Sequence, residues 1–209
     1  MTNPLAKRMG ESRKASQDAT RGIPMTGDEL GARQKDDFYA TPPWVTLALL
    51  KAEPFAGPIW EPAAGTGRIC ETIKQWSPER EVIATDLVDR GYVPAETGVD
   101  FLMEQRRLAP NVVTNPPFKL AREFAQHAMD LGVDKCALLL KLGFAQGAER
   151  TPWLFNSGLA RIWVIASRIT FEAVADRPQF TSNFVDGYAW FVWERGHEGM
   201  AMTGYLEKP

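Results

Sequence analysis

Apolar and polar stretches alternate along the chain from about Phe38 to the C-terminus, and their periods predict the elements. Pro42-Pro43 can open a helix through Trp44, Leu47, Leu49 and Leu50, because proline is pre-set for a first helical turn. Residues 58–61 read as a strand leading into a Gly-rich turn, and residues 67–76 as the helix that follows. Further strands are predicted at 81–86, 99–102 and 111–114. Phe124, Ala128 and Leu131 share one face of a helix over 120–131. Residues 135–142 form an almost continuous apolar run, as expected of a strand covered on both faces. A short helix at 151–156, a sixth strand within 159–171 and a seventh at 188–194 complete the pattern. No helical period separates the last two strands, so they should pair antiparallel. Alternating β and α units predict a three-layer α/β/α sandwich around a mostly parallel, seven-stranded sheet with an antiparallel C-terminal strand.

Residues 1–36 contrast with this texture. They are rich in Gly, Ser, Thr and charge and hold few large apolar groups, so they read as a disordered polar arm. Residues 37–209 read as a single domain, and 209 residues suffice for a sizeable core. No apolar run reaches the roughly 20 residues of a membrane helix. The N-terminus lacks the apolar segment of a secretory signal, so no membrane and a cytoplasmic residence are expected. Cys70 and Cys136 stand far apart and read as buried thiols, and two histidines give no metal-ligand spacing. No metal is therefore expected. The formal net charge of −2 provides no global attraction for nucleic acid, so any such binding needs cations gathered on one face.

Two motifs carry chemistry. Asn115-Pro116-Pro117-Phe118 follows the run Asn111-Val112-Val113-Thr114. Its prolines remove two backbone donors and stop the strand, which leaves Asn115 and Phe118 held at the sheet edge. An amide beside a fixed carbonyl can grip an exocyclic amino group, and an aromatic ring can stack on a base taken out of its helix. Upstream, Glu61-Pro62-Ala63-Ala64-Gly65-Thr66-Gly67 lies between a strand and a helix, where backbone can approach a ligand closely. Asp86 ends the next strand, roughly 20 residues on, at the place of a ribose-binding acid. Position 70, where a dinucleotide loop has its third glycine, is Cys70, and no Gly-Lys-Ser/Thr follows. The acids Glu61, Asp86 and Asp100 suit a cationic nucleoside better than a pyrophosphate. S-adenosylmethionine, with a sulfonium, an α-amino group and no phosphate, meets that description.

With these motifs the chain resembles the S-adenosylmethionine-dependent DNA adenine-N6 methyltransferases, most closely the small solitary type of phages and prophages. The resemblance covers about residues 37–195 and rests on Tyr39-Ala-Thr41-Pro42-Pro43, the Gly loop and Asn115-Pro-Pro-Phe118, in that order. Arg168-Ile-Thr-Phe171 and the aromatic stretch 188–193 are also similar to that type. The resemblance implies a Rossmann-like methyltransferase fold and transfer of a methyl group from S-adenosylmethionine to adenine N6 in double-stranded DNA. It implies that Tyr39, Thr41, Pro42, Glu61, Ala63, Gly65 and Gly67 line the methionine part of the cofactor. Asp86 and Leu87 would take the ribose side, and Asp100 and Phe101 the cofactor's adenine, with Asn115 also near the cofactor. Asn115 and the Pro116 carbonyl would accept hydrogen bonds from the target amino group, with Pro117 stiffening the turn and Phe118 stacking on the target base. The tetrapeptide is shared with enzymes acting on RNA bases or protein glutamines, so those substrates stay open, as does a binding module that has kept only the fold.

Lys119, Arg122, Lys141, Arg150, Arg168 and Arg177 are candidate phosphate contacts. Target recognition has little room: about 90 residues follow Phe118. The segments 143–158 and 172–187 are the candidate insertions, and a homodimer could supply what they lack. The tryptophans at 153, 163, 190 and 193 read as sheet packing.

Overall fold

The computed structural model describes residues 39–171, the backbone of 180–181, and residues 187–208. The polar arm, residues 1–36, and Arg177 lie outside the described residues. Among the described residues, helices α1 (Pro43–Ala52), α2 (Arg68–Trp76), α3 (Ala121–Asp130) and α4 (Thr151–Asn156) accompany ten strands. These are β1 (Ile59–Glu61), β2 (Val82–Asp86), β3 (Glu96–Thr97), β4 (Asn111–Thr114), β5 (Lys135–Lys141), β6 (Leu159–Ile165), β7 (Thr170–Phe171), β8 (Phe180–Thr181), β9 (Tyr188–Glu194) and β10 (Met202–Leu206). Eight strands form one sheet in the order β10-β6-β9-β5-β4-β1-β2-β3, and β7 pairs with β8 in a separate hairpin. Within the eight-stranded sheet only β9 runs against its neighbours, antiparallel to both β5 and β6. All described residues fall within one compact unit, Asp36–Pro209.

The apolar run of β5 is divided between two cores by the two-residue period of a strand. Ala137 and Leu139 pack with Val45, Ala48 and Leu49 of α1 and Ile69 and Ile73 of α2. Cys136, Leu138 and Leu140 face the other way, onto Phe124, Ala125 and Ala128 of α3. Strand β9 divides likewise, with Trp190 and Val192 on the first face and Phe191 and Trp193 on the second. Trp190 and Trp193 are fully buried, as sheet packing requires. Both cysteines are buried and free, and burial pushes both thiols up, away from nucleophilic chemistry. Among the described residues no helix is long and apolar enough to cross a membrane.

Two strands depart from the sequence expectation. The third strand is Glu96–Thr97, and the segment 99–102 is no strand: Asp100 Oδ1 accepts from Leu102 N–H at 3.0 Å and caps a 3-10 turn, Phe101–Met103. A side chain that satisfies a neighbouring donor locally competes with a sheet ladder. Strand β10 adds an eighth member, parallel to β6. Its Gly204 lies so close to the Trp163 ring that a Cβ there would stand 2.3 Å from the ring edge.

Opposite the carboxyl ends of the parallel strands, charge is buried. Glu53, just after α1, is 2% exposed. It accepts from Lys135 Nζ at 2.5 Å, from Arg161 Nε and Nη2 at 2.6 and 2.8 Å, and from Trp163 Nε1 at 2.9 Å. Arg161 also reaches Glu194 at 2.5 Å. This network ties α1 to β5, β6 and β9.

Candidate active site at the carboxyl ends of the strands

The strand order reverses between β1 and β4: from β1 the chain moves outward to β2 and β3, then returns to β4 on the other side. Loops leaving two such neighbours diverge to opposite faces and leave a crevice between them, where open α/β sheets bind ligands. The Gly loop leaves β1 and the Asn115 tetrapeptide leaves β4, so both motifs meet at this crevice.

The Gly loop is pinned by the next strand. Ala64 N–H donates to Thr85 C=O at 3.0 Å, and Gly65 N–H to Asp86 Oδ2 at 2.7 Å. Asp86 Oδ1 accepts from Val88 N–H at 2.8 Å. A carboxylate has about four acceptor positions, so Asp86 retains capacity for a ligand hydroxyl. Gly65 and Gly67 have φ of +57° and +79°. Gly67 also lies under the Tyr92 ring, where a Cβ would come within 2.3 Å of ring carbon. Tyr92 is held by its hydroxyl, which donates to Glu71 at 2.5 Å. The second glycine thus makes room for a tyrosine of the protein itself. Gly67→Ala should destabilise the fold by about 3 kcal/mol, from left-handed strain plus overpacking. In a Tyr92→Ala background, urea unfolding should retain only the strain part, about 1–2 kcal/mol.

Glu61 is completely buried, and neither of its carboxyl oxygens finds a hydrogen-bond partner among the described residues. Burial pushes its pKa up to about 8, with the nearby Asp86 charge adding to the rise, while the neighbouring Thr114 hydroxyl and Ala63 backbone offset part of it. The folded state therefore holds this proton more tightly than the unfolded chain. Raising the pH from the ordinary value of 4.5 through about 8 must progressively destabilise the ligand-free fold. Thermal melts should show this decline in the wild type, and Glu61→Gln should flatten it. A buried carboxyl without a partner is a position poised for a cationic ligand group.

Asn115 is half-buried at the end of β4. Its Nδ2 donates to the Tyr39 carbonyl and to Thr41 Oγ1, both at 3.1 Å. Tyr39, Thr41, Ala63 and Asn115, with Thr66 and Arg68, line a narrow cleft of about 20 Å³. Pro42 is buried at the N-cap of α1, where its carbonyl accepts from Val45 N–H at 3.0 Å. Phe118 opens a 3-10 turn and is backed by Tyr39, ring centroids 6.2 Å apart, and by Tyr188 at 5.8 Å. It borders a cleft of about 270 Å³ with Lys141, Phe144 and Arg150, and a second of about 430 Å³ with Lys119, Arg122, Phe144 and Arg150. Glu123 and Glu149 also line the second.

Four candidate cations, Lys119, Arg122, Lys141 and Arg150, are thus gathered around Phe118. Arg122 lies over Trp153 at 5.3 Å, and Arg150 over Phe144 at 4.4 Å while donating to the Phe144 carbonyl at 2.8 Å. Arg168 is exposed in the link between β6 and β7 and borders neither cleft. Leu87 is 58% exposed beside Asp86. Phe101 instead points into the core, 2% exposed, with its ring against Trp60, Phe124 and His127. It anchors the turn that Asp100 caps. Tyr92 and Phe144 escaped the sequence reading: Tyr92 stands in an unpatterned turn, and Phe144 follows the apolar run of β5 by three residues, a spacing that marks no face of a strand.

The layers, strand order and crevice are those of the Rossmann-like methyltransferase fold. No protein-family model and no curated protein matches the chain. Solved structures do. A type I restriction-modification methyltransferase subunit from Streptococcus thermophilus superposes with a TM-score of 0.54 at 15% identity, covering 78% of this chain and 46% of that one. A proposed RNA methyltransferase of Pyrococcus horikoshii gives 0.51 at 13% identity, covering 72% and 80%. A dimethyladenosine transferase from Plasmodium falciparum gives 0.50 at 12%, covering 75% and 63%. At these identities the likeness defines the fold alone.

Proposed function

We propose that this protein is an S-adenosylmethionine-dependent methyltransferase acting on the N6 amino group of adenine extruded from double-stranded DNA. The observation that carries the reading is the orientation of Asn115: with Nδ2 occupied by two acceptors, its amide oxygen is left for a donor, three residues before Phe118, which borders a cleft with Lys141 and Arg150. The residues fit the cofactor. Glu61 offers an unpartnered carboxyl for its cationic methionine end, Asp86 has acceptor capacity for the ribose, and the exposed Leu87 can be covered by an adenine. Asp100 and the Gly65 backbone would complete that surface, whereas Gly67 is covered by Tyr92, and Thr41 with Ala63 would border the methionine.

When bound, the cofactor supplies an electrophilic methyl group. The adenine nitrogen is a poor nucleophile, because its lone pair is delocalised into the ring. Asn115 Oδ1 and the Pro116 carbonyl would accept its two hydrogens and hold it in a more tetrahedral, nucleophilic state. This is alignment plus preorganised electrostatics. Phe118 would stack on the target base, contributing about 1–3 kcal/mol, while Pro117 stiffens the turn between them. Lys119, Arg122, Lys141 and Arg150 would neutralise backbone phosphates, with Arg168 as an outlying contact and Arg177 as a further candidate. Such a local ring of cations reconciles DNA binding with the overall charge of −2. The 1–36 segment would be an arm preceding the single catalytic domain.

The test incubates the protein with unmethylated duplex DNA and labelled S-adenosylmethionine, then identifies the modified nucleoside by mass. N6-methyladenine is the expected product. Label absent from DNA despite measurable cofactor binding would overturn the reading and turn attention to amino or amide nitrogens of RNA and protein.

A further inference from the structure

We propose that Thr41, together with the main-chain carbonyl of Tyr39, positions the Asn115 amide and fixes which of its two ends meets the target; this rests on the reading of Asn115 given above. The ends of an amide side chain are nearly equal in shape and differ only in donating or accepting. Rotated by half a turn, Asn115 would offer its NH2 to an amino group, donor against donor, and the proposed activation would be lost. Nothing within Asn115 itself selects the productive rotation.

Its neighbours do. The Tyr39 carbonyl, 3.1 Å from Nδ2, can only accept, so the end that faces it must be the NH2. Thr41 Oγ1, also at 3.1 Å, accepts the second N–H. The turned amide would set oxygen against oxygen at Tyr39. Thr41 is 3% exposed, so its hydroxyl is shielded from water. The residue before a proline is held in extended backbone, and here that proline, Pro42, caps α1. Helix α1 therefore anchors Thr41, and Thr41 anchors Asn115 across 74 residues of sequence. The Tyr39-Ala-Thr41-Pro42-Pro43 and Asn115-Pro-Pro-Phe118 motifs act as one unit.

The experiment compares wild type, Thr41→Val and Thr41→Ser, all as full chain. Thr41→Val keeps the shape and removes the acceptor. Its kcat should fall about tenfold, the loss of one neutral hydrogen bond with the Tyr39 carbonyl still in place, while KM for DNA and the Kd for S-adenosylhomocysteine stay within about threefold. Thr41→Ser should restore most of kcat. A second readout needs no substrate: the side-chain NH2 signals of Asn115, identified by their loss in Asn115→Ala, should exchange slowly with water in wild type and at least about tenfold faster in Thr41→Val. Wild-type kcat in Thr41→Val would overturn the proposal, as would an unprotected Asn115 amide in wild type. So would S-adenosylhomocysteine affinity falling in step with kcat, which would mean that Thr41 acts through the cofactor alone. Protected, Thr41-dependent NH2 signals in a wild type that leaves DNA unmethylated would support the positioning and defeat only the DNA reading.

Discussion

On the proposed reading, Asn115→Ala is expected to lower kcat for methyl transfer by about two to three orders of magnitude, the loss that follows when one preorganised polar contact to the reacting centre is removed. Single-turnover kinetics on a duplex containing the mapped target site would read this directly. S-adenosylmethionine affinity, measured by calorimetry on the same variant, should change far less. The contrast is with Phe118→Ala, which on the same reading would remove a stacking surface worth about 1–3 kcal/mol and so should weaken base capture. An Asn115→Ala enzyme that turns over at the wild-type rate would leave the amide no role in the chemistry.

The second large effect is on stability. Glu53→Ala is expected to destabilise the fold by about 3–5 kcal/mol, because it leaves Lys135 and Arg161 buried or half-buried without their shared partner. Urea unfolding followed by tryptophan fluorescence would measure it. The same residue gives an acid-sensitive component. Burial acts to raise the Glu53 pKa, but hydrogen bonds from Arg161, Lys135 and Trp163, and the Lys135 charge, outweigh it and hold the pKa below 4.5. A depressed folded pKa contributes stability that is present above 4.5 and lost as the pH falls through the folded value. Glu53 and Glu61 therefore pull stability in opposite directions with pH, over separate windows. Glu53→Gln should remove the acid-side component and leave the Glu61 decline intact.

The sequence made most of the sheet legible, because strands such as β5 and β9 announce themselves by composition. Their residues are apolar at nearly every position, which a strand covered on both faces must be. The helices were legible through their starts, Pro43 in α1 and the glycines before α2. Strand β3 was not, since Glu96–Thr97 is two exposed polar residues that pair with β2 by backbone alone. Strand β10 carries no apolar alternation and includes Gly204, whose presence makes sense only once Trp163 lies beneath it. The candidate site was legible as positions: Glu61, Asp86 and Asn115 stand at strand ends as their spacing implied. Its wiring was not. The partners of Asn115 lie 76 and 74 residues away, and those of Glu53 between 82 and 110. Phe101 shows the limit of position alone, since the turn at Asp100 rotates the ring inward.

Strand β9 has a consequence for how the chain reaches this state. It supplies the antiparallel partner of β5, which begins 53 residues earlier, and it also separates β5 from β6. While a ribosome is still extending the polypeptide short of residue 188, β5 has β4 on one side and a bare, apolar edge on the other. That edge cannot be closed by β6, which would have to leave a gap one strand wide. Such an edge is a template for association with other chains. Late closure by a distant segment also raises contact order and slows folding. Fragments ending before β9 should be recovered as aggregates, and the nascent protein should depend on β9, or on a chaperone, until that strand arrives.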